Sequence, residues 1–234
     1  MKNLLLILFG FPLVGFGQTS EEYINRGNDA FNLDNYEKAV SSYTQAIQLD
    51  PNNAISYSSR GLVYFFIDKY EESIADYTQA IKLDPDDAFS YLGRGDVYYF
   101  LDVYDLAIAD YTQAIKLDLN DTYSDISYFS RGEAYFFSDK YLESIADYTQ
   151  VIKLAPNNAD SYNSRGAAYA YLDKYEESIA DYTQAIKLDP NNADSYMNRG
   201  VVKENAGLKY CRDYKKACDL GQEDCCKWYN DQCE

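Results

Sequence analysis

Hydrophobic and polar positions recur along most of this chain with a period near 34 residues. The marker is the pair Arg-Gly, at Arg26-Gly27, Arg60-Gly61, Arg94-Gly95, Arg131-Gly132, Arg165-Gly166 and Arg199-Gly200, with spacings of 34, 34, 37, 34 and 34. Four residues before each glycine stands a tyrosine, from Tyr23 to Tyr196. Three after comes Tyr64, Tyr98, Tyr135 or Tyr169, with Ala30 in the first unit. Nine after come Tyr36, Tyr70, Tyr104, Tyr141 and Tyr175, and sixteen after come Tyr43, Tyr77, Tyr111, Tyr148 and Tyr182. Tyr162, Gly166 and Tyr169 share one face of a helix, and Ser178, Tyr182 and Ala185 share one face of a second, after a turn at Asp173-Lys174. The glycine and the Ala or Ser twelve residues after it let the two helices approach closely. Pro51, Pro85, Pro156 and Pro190 stop the second helix, and the Asn or Asp residues that follow cap the next. No unit of this size buries its own apolar faces, so the units must stack.

At these residues the chain resembles the tetratricopeptide repeat family, whose pattern sets an aromatic residue, Gly, Tyr, Ala, an aromatic residue, Ala and Pro at the same offsets. The resemblance implies an all-α, right-handed helix-turn-helix solenoid. Its five units span 20–53, 54–87, 88–124, 125–158 and 159–192 within a region 18–192, followed by a degenerate sixth repeat and cap over 193–234. Two departures stand out. Arginine replaces the usual apolar residue before the glycine, and the third unit has Leu119 for proline and three extra residues near Thr122-Tyr123-Ser124.

Twenty of the 26 tyrosines occupy the four recurring offsets, which assigns them to core packing. Asp76, Asp110, Asp147 and Asp181 lie fifteen after the glycine in the units that carry Arg60, Arg94, Arg131 and Arg165. A ladder of ion pairs within or between units is the expectation; a line of ligand-binding arginines is the alternative.

Function should sit where the units differ. Four and five residues after each glycine come Phe31-Asn32, Phe65-Phe66, Tyr99-Phe100, Phe136-Phe137, Ala170-Tyr171 and Glu204-Asn205. These belong to a stripe about 120° around the first helix from the core face, which in the family lines the concave groove. All eight phenylalanines after residue 17 fall on it. Its charges are all negative, namely Glu21, Asp96, Glu133, Asp160, Asp194 and Glu204. Such a groove suits an apolar or basic peptide or protein segment, with Phe65, Phe66, Tyr99, Phe100, Phe136 and Phe137 as the aromatic surface and Asp96 and Glu133 selecting positive charge. Family members that clamp a carboxylate need Lys or Arg there, which this stripe lacks. The competing reading packs these phenylalanines between neighbouring units.

The N-terminal MKNLLLILFGFPLVGFGQ has one cation, Lys2, and an apolar run of about 14 residues, too short to span a bilayer. It reads as a signal peptide over 1–17, cut after Gly17, with no cysteine nearby for lipid attachment. The mature chain is then expected to be exported, to a bacterial periplasm or outside the cell, without stable membrane insertion. The net charge is −17, and −18 once Lys2 is removed, so nucleic acid and anionic lipid are poor partners. There is no histidine, which removes His-based triads, His-ligated metals and imidazole acid–base chemistry. No cofactor, metal or catalytic residue is expected. An enzyme acting on cell-wall-like ligands and a purely structural envelope subunit are the rival readings.

All five cysteines fall between Cys211 and Cys233. Cys211 to Leu220 reads as one helix ending at Gly221, and Asp224 to Cys233 as another, forming a short hairpin. Cys218–Cys226 and Cys211–Cys233 lie symmetrically about one turn, so nested disulfides fit one register; Cys218–Cys225 competes closely. A zinc site would need its ligands around one point, and a Cys-x-x-Cys redox motif is absent. The stretch KACDLGQEDCC also resembles the cysteine-rich, secreted bacterial cousins of these repeats, where a disulfide ties paired helices. The staple would cap the solenoid's exposed end.

Overall fold

A computed structural model describes residues 18–118 and 122–233. Within them the chain is all-α, in helix pairs. The first helices are α1 (Ser20–Phe31), α3 (Ala54–Phe66), α5 (Ala88–Phe100), α7 (Ser124–Phe137), α9 (Ala159–Tyr171) and α11 (Ala193–Asn205). Their partners are α2 (Tyr36–Leu49), α4 (Tyr70–Leu83), α6 (Tyr104–Leu117), α8 (Tyr141–Leu154), α10 (Tyr175–Leu188) and α12 (Cys211–Asp219), and α13 (Glu223–Cys233) follows. Residues 1–17, where a signal peptide is expected, and Leu119 lie outside the described residues. No described helix is long and apolar enough to cross a membrane.

Each helix packs on the one before and the one after. In addition, α1, α3, α5, α7, α9 and α11 touch one another in succession, whereas their partners do not pack together in the same way. The first helices therefore form the inner wall of a right-handed solenoid. The core that holds each pair together is small on one side and aromatic on the other. Tyr43, Tyr77, Tyr111, Tyr148, Tyr182 and Tyr214 are buried, as are Val63, Val97, Ala134, Ala168 and Val202, two residues after the glycine; Tyr43 packs with Val63 and Tyr111 with Ala134 of the following unit. A Cβ at Gly27 would lie 2.5 Å from the Tyr43 ring, so close approach requires glycine there. Ser73 and Ser178 donate to the carbonyls of Gly61 and Gly166 at 2.7 Å, closing the same contact with a polar side chain.

The tyrosines at the other offsets pack at the margin of the core, less deeply than expected; Tyr36, Tyr91, Tyr98 and Tyr104 lie against its buried residues. Those four before and three after the glycine are only half-buried. In three units a guanidinium lies between such a pair: Arg60 between Tyr57 and Tyr64, Arg131 between Tyr128 and Tyr135, Arg165 between Tyr162 and Tyr169. Those nine after it sit at the turn between paired helices and carry a second job. Asp34, Asp68, Asp102, Asp139 and Asp173 hold a left-handed backbone, φ 54–59°, that reverses the chain there. The hydroxyls of Tyr36, Tyr70, Tyr104, Tyr141 and Tyr175 donate to these carboxylates at 2.6–3.1 Å.

Arginine and aspartate pair within every unit from the second onward. Arg60, Arg94, Arg131 and Arg165 each place Nε 2.7 Å and Nη2 2.8 Å from the two carboxylate oxygens of Asp76, Asp110, Asp147 and Asp181. The remaining Nη1 donates, at 3.0 Å, to a threonine of the preceding unit: Thr44, Thr78, Thr112 and Thr149. One side chain thus ties a helix pair internally and to its neighbour. The first unit has Ser42 at the aspartate position, and Arg26 donates instead to Gln18 at 2.9 Å.

Asn53, Asp87, Asn158 and Asn192 cap α3, α5, α9 and α11 by accepting from the backbone N–H three residues on. At the irregular third junction Asp118 substitutes, accepting from the N–H groups of Thr122 and Tyr123 at 2.9 and 2.7 Å. Helix α7 opens at Ser124, one residue before the expected boundary.

Candidate peptide-binding groove

Three consecutive inner helices build a concave cavity of about 380 Å³. Helix α3 supplies Phe65; α5 supplies Asp96, Tyr99 and Phe100; α7 supplies Phe129 and Glu133. Five of the eight residues expected at the site line this one cavity. Phe136 lines a second, of about 470 Å³, further along the inner wall with Ala170, Tyr171 and Val201. Phe66 and Phe137 line neither.

Those two explain themselves by stacking. Phe66 lies parallel to Tyr36 of the preceding unit, with ring centroids 6.0 Å apart, and Phe137 lies likewise on Tyr104. Tyr171 covers Tyr141 at 4.9 Å and Phe100 covers Tyr70 at 5.0 Å. The aromatic residue five after each glycine therefore packs between units, as the competing reading held. Its outer side is still free: Phe66 is 52% exposed, Phe100 56% and Phe137 51%. The residues four after the glycine, Phe65, Tyr99 and Phe136, are half-buried beneath them. Twelve rings form two connected groups along this edge, from Phe31 to Phe100 and from Tyr99 to Tyr171.

The two carboxylates of the cavity are not free-standing. Asp96 Oδ1 accepts from the hydroxyl of Tyr111 at 2.8 Å, and Glu133 accepts from that of Tyr148. Burial pushes the Asp96 carboxyl up to about 6, against the opposing effect of the Tyr111 hydrogen bond. Burial, with Glu133 next, also pushes Tyr99 up to about 12. No Lys or Arg lines this cavity.

Sequence reasoning missed the hydroxyl ends of Tyr111 and Tyr148, which reach the groove although their rings are core. The available signal was that an acid one after the glycine coincides with a tyrosine sixteen after it only in the third and fourth units. At Leu62, Ala167 and Val201 no such acceptor exists. At the other end of the groove Asp194 accepts from Gln222 of the cap, and Glu204 from Tyr214 at 3.0 Å.

In the cap, sulfur bonds join Cys211 to Cys233 and Cys218 to Cys226, with Cα atoms 5.7 and 4.7 Å apart. Cys225 is a buried free thiol among Tyr214, Ala217 and Trp228. Among the described residues no cluster of three or more His, Cys, Asp or Glu side chains could hold a metal ion.

A family model described as "TPR repeat" matches residues 27–65, 68–102, 132–173 and 168–207, and one described as "Tetratricopeptide repeat" matches 90–121. Nothing among curated proteins matches. Solved structures share the fold. YrrB, described as a TPR protein with an unusual peptide-binding site, aligns with TM-score 0.69 at 20% identity over 78% of this chain and 94% of its own. PilW, a type IV pilus biogenesis factor, gives 0.73 at 14% identity over 87% and 91%. MamA from Desulfovibrio magneticus gives 0.68 at 15% identity over 75% and 98%.

Proposed function

The chain belongs to the tetratricopeptide repeat family, whose members are protein–protein interaction scaffolds, and from that premise we propose that its inner wall binds an apolar or basic segment of a partner protein outside the cytoplasm. The observation that carries this reading is the cavity between α3, α5 and α7, where Phe65, Tyr99 and Phe100 surround Asp96 and Glu133 with no cation among them. Aromatic faces and a half-buried carboxylate pair together favour a Lys or Arg side chain flanked by apolar residues. The half-exposed rings of Phe66 and Phe137 extend the surface along the edge of the wall. Export rests on the leader-like N-terminus and agrees with the two disulfides, which persist in oxidising compartments.

The test is a pull-down from envelope and secreted fractions. One bait is the chain from Gln18 onward; the other carries Phe65, Phe66, Phe136 and Phe137 changed to Ala, with helicity checked by circular dichroism. A partner retained by the first and lost by the second supports the groove. Equal retention by both rejects these residues as the binding surface.

A further inference from the structure

The last helix pair breaks the rule that governs the arginines. In earlier units Tyr64, Tyr135 and Tyr169 lie under the guanidinium three positions after the glycine. In the sixth, that position is Lys203. Its Nζ lies 2.7 Å from Asp213 Oδ2, while Arg199 Nη2 lies 2.6 Å from Oδ1. One buried carboxylate thus serves two cations, where every earlier aspartate serves one. Both cations are largely covered, with 15% and 24% of their side chains exposed.

These groups open onto a cavity of about 820 Å³ beside the turn at Gly207 (φ 69°), into which Lys209 and Arg212 also face. Lys209 and Arg212 have no carboxylate within ion-pair distance among the described residues, and both are exposed. From Arg199 to Lys216 the chain holds six cations and two carboxylates, although its net charge is −17. The largely covered part of this charge, Arg199 and Lys203 on the single carboxylate of Asp213, is unfavourable unless a further counter-charge meets it.

We propose that this cavity is an anion site for a compact polyanion carrying at least two carboxylate or phosphate groups. Three features fix the class. Arg212 offers a planar fork and Lys209 and Lys203 offer point charges, so the ligand must present oxyanions in more than one direction. The volume lies in the range of small-molecule sites. The acidic body of the solenoid repels extended anions such as nucleic acid or an anionic bilayer, which leaves a small ligand as the one admitted.

The experiment uses the whole chain from Gln18 onward, with disulfides intact. Pyrophosphate and citrate are titrated separately by calorimetry at constant ionic strength, against the wild type and the Lys209→Gln/Arg212→Gln variant. Neither residue is paired or buried, so the variant is expected to keep its helicity and melting temperature. Saturable one-to-one binding of either probe, weakened at least ~10-fold in the variant, supports the site. The probe that binds tells phosphate from carboxylate. No saturable binding by either, or equal binding by wild type and variant, overturns the proposal.

Discussion

Arg131 and Asp147 are joined by two parallel hydrogen bonds, Nε to Oδ2 at 2.7 Å and Nη2 to Oδ1 at 2.8 Å, while the third nitrogen of the same guanidinium reaches back 3.0 Å to Thr112 in the preceding unit. Burial raises the Asp147 pKa, and the Arg131 guanidinium opposes that rise. Asp147→Ala leaves a largely covered cation with only a neutral partner. The expected cost is about 3 kcal/mol, seen as a lower urea midpoint with hydrogen exchange accelerated first in α7 and α8. The double variant Arg131→Met/Asp147→Leu should recover most of that loss; a double variant as unstable as the single would refute the ion-pair account.

Asp96 makes the molecule pH-sensitive near its groove. Its folded pKa of about 6 lies above the ordinary 3.8, so the protonated form is favoured by folding. The stability this group adds is full below about pH 4 and is lost as the pH rises through 6. Between pH 4 and 6.5 its contribution should fall by about 1–3 kcal/mol. Comparing wild type with Asp96→Asn across that window isolates it; parallel curves for the two proteins would show the group to be unperturbed.

Binding should move the other way. A cationic peptide meets a charged Asp96 only above pH 6, so affinity should climb between pH 5 and 7 in the wild type. In Asp96→Asn it should be weaker and flat. Fluorescence anisotropy with a labelled Lys-containing aromatic peptide reads both, and a pH-independent wild type would remove Asp96 from recognition.

Tyr77 fills a space that its neighbour vacates. A Cβ at Gly93 would lie 2.4 Å from Cζ of Tyr77, where most other units carry serine. Gly93→Ala must displace the buried ring, costing about 1–3 kcal/mol as overpacking does. A melting temperature unchanged within error would mean the ring swings aside freely.

The cap is expected to show one thiol to a disulfide-blind reagent, and only after unfolding, because Cys225 is buried. Reduction should destabilise α12 and α13 by about 2–4 kcal/mol per bridge, with α1–α8 little affected. More than one reactive thiol in the oxidised, unfolded protein would overturn the nested pairing.

The helix pairs were legible because their determinants are local and repeated. Glycine, a small residue twelve further on and a tyrosine at sixteen specify one close contact, and the spacing displays it five times. Asp76 and Arg60 were legible as partners for the same reason. Thr44 as their third member was not, because a threonine on a helix carries no signal until a neighbouring unit is stacked on it. The tyrosines nine after the glycine pack against the core only in part, since periodicity gives the face of a helix but not how far its end projects. Lys203 carries no signal of its own in the sequence. Its significance depends on sharing Asp213 with Arg199, ten and fourteen positions away across a loop whose path no pattern gives.

The backward reach of each arginine gives the solenoid a polarity. From Arg60 to Arg199 every unit grips the one before it through threonine, and the last is fastened by disulfides. The first has serine in place of the aspartate, and Arg26 reaches only Gln18. The chain therefore comes apart like a zip with one sewn end. A protease or a pulling force enters at α1 and α2, and what it leaves behind is a shorter rod with the cysteine hairpin intact.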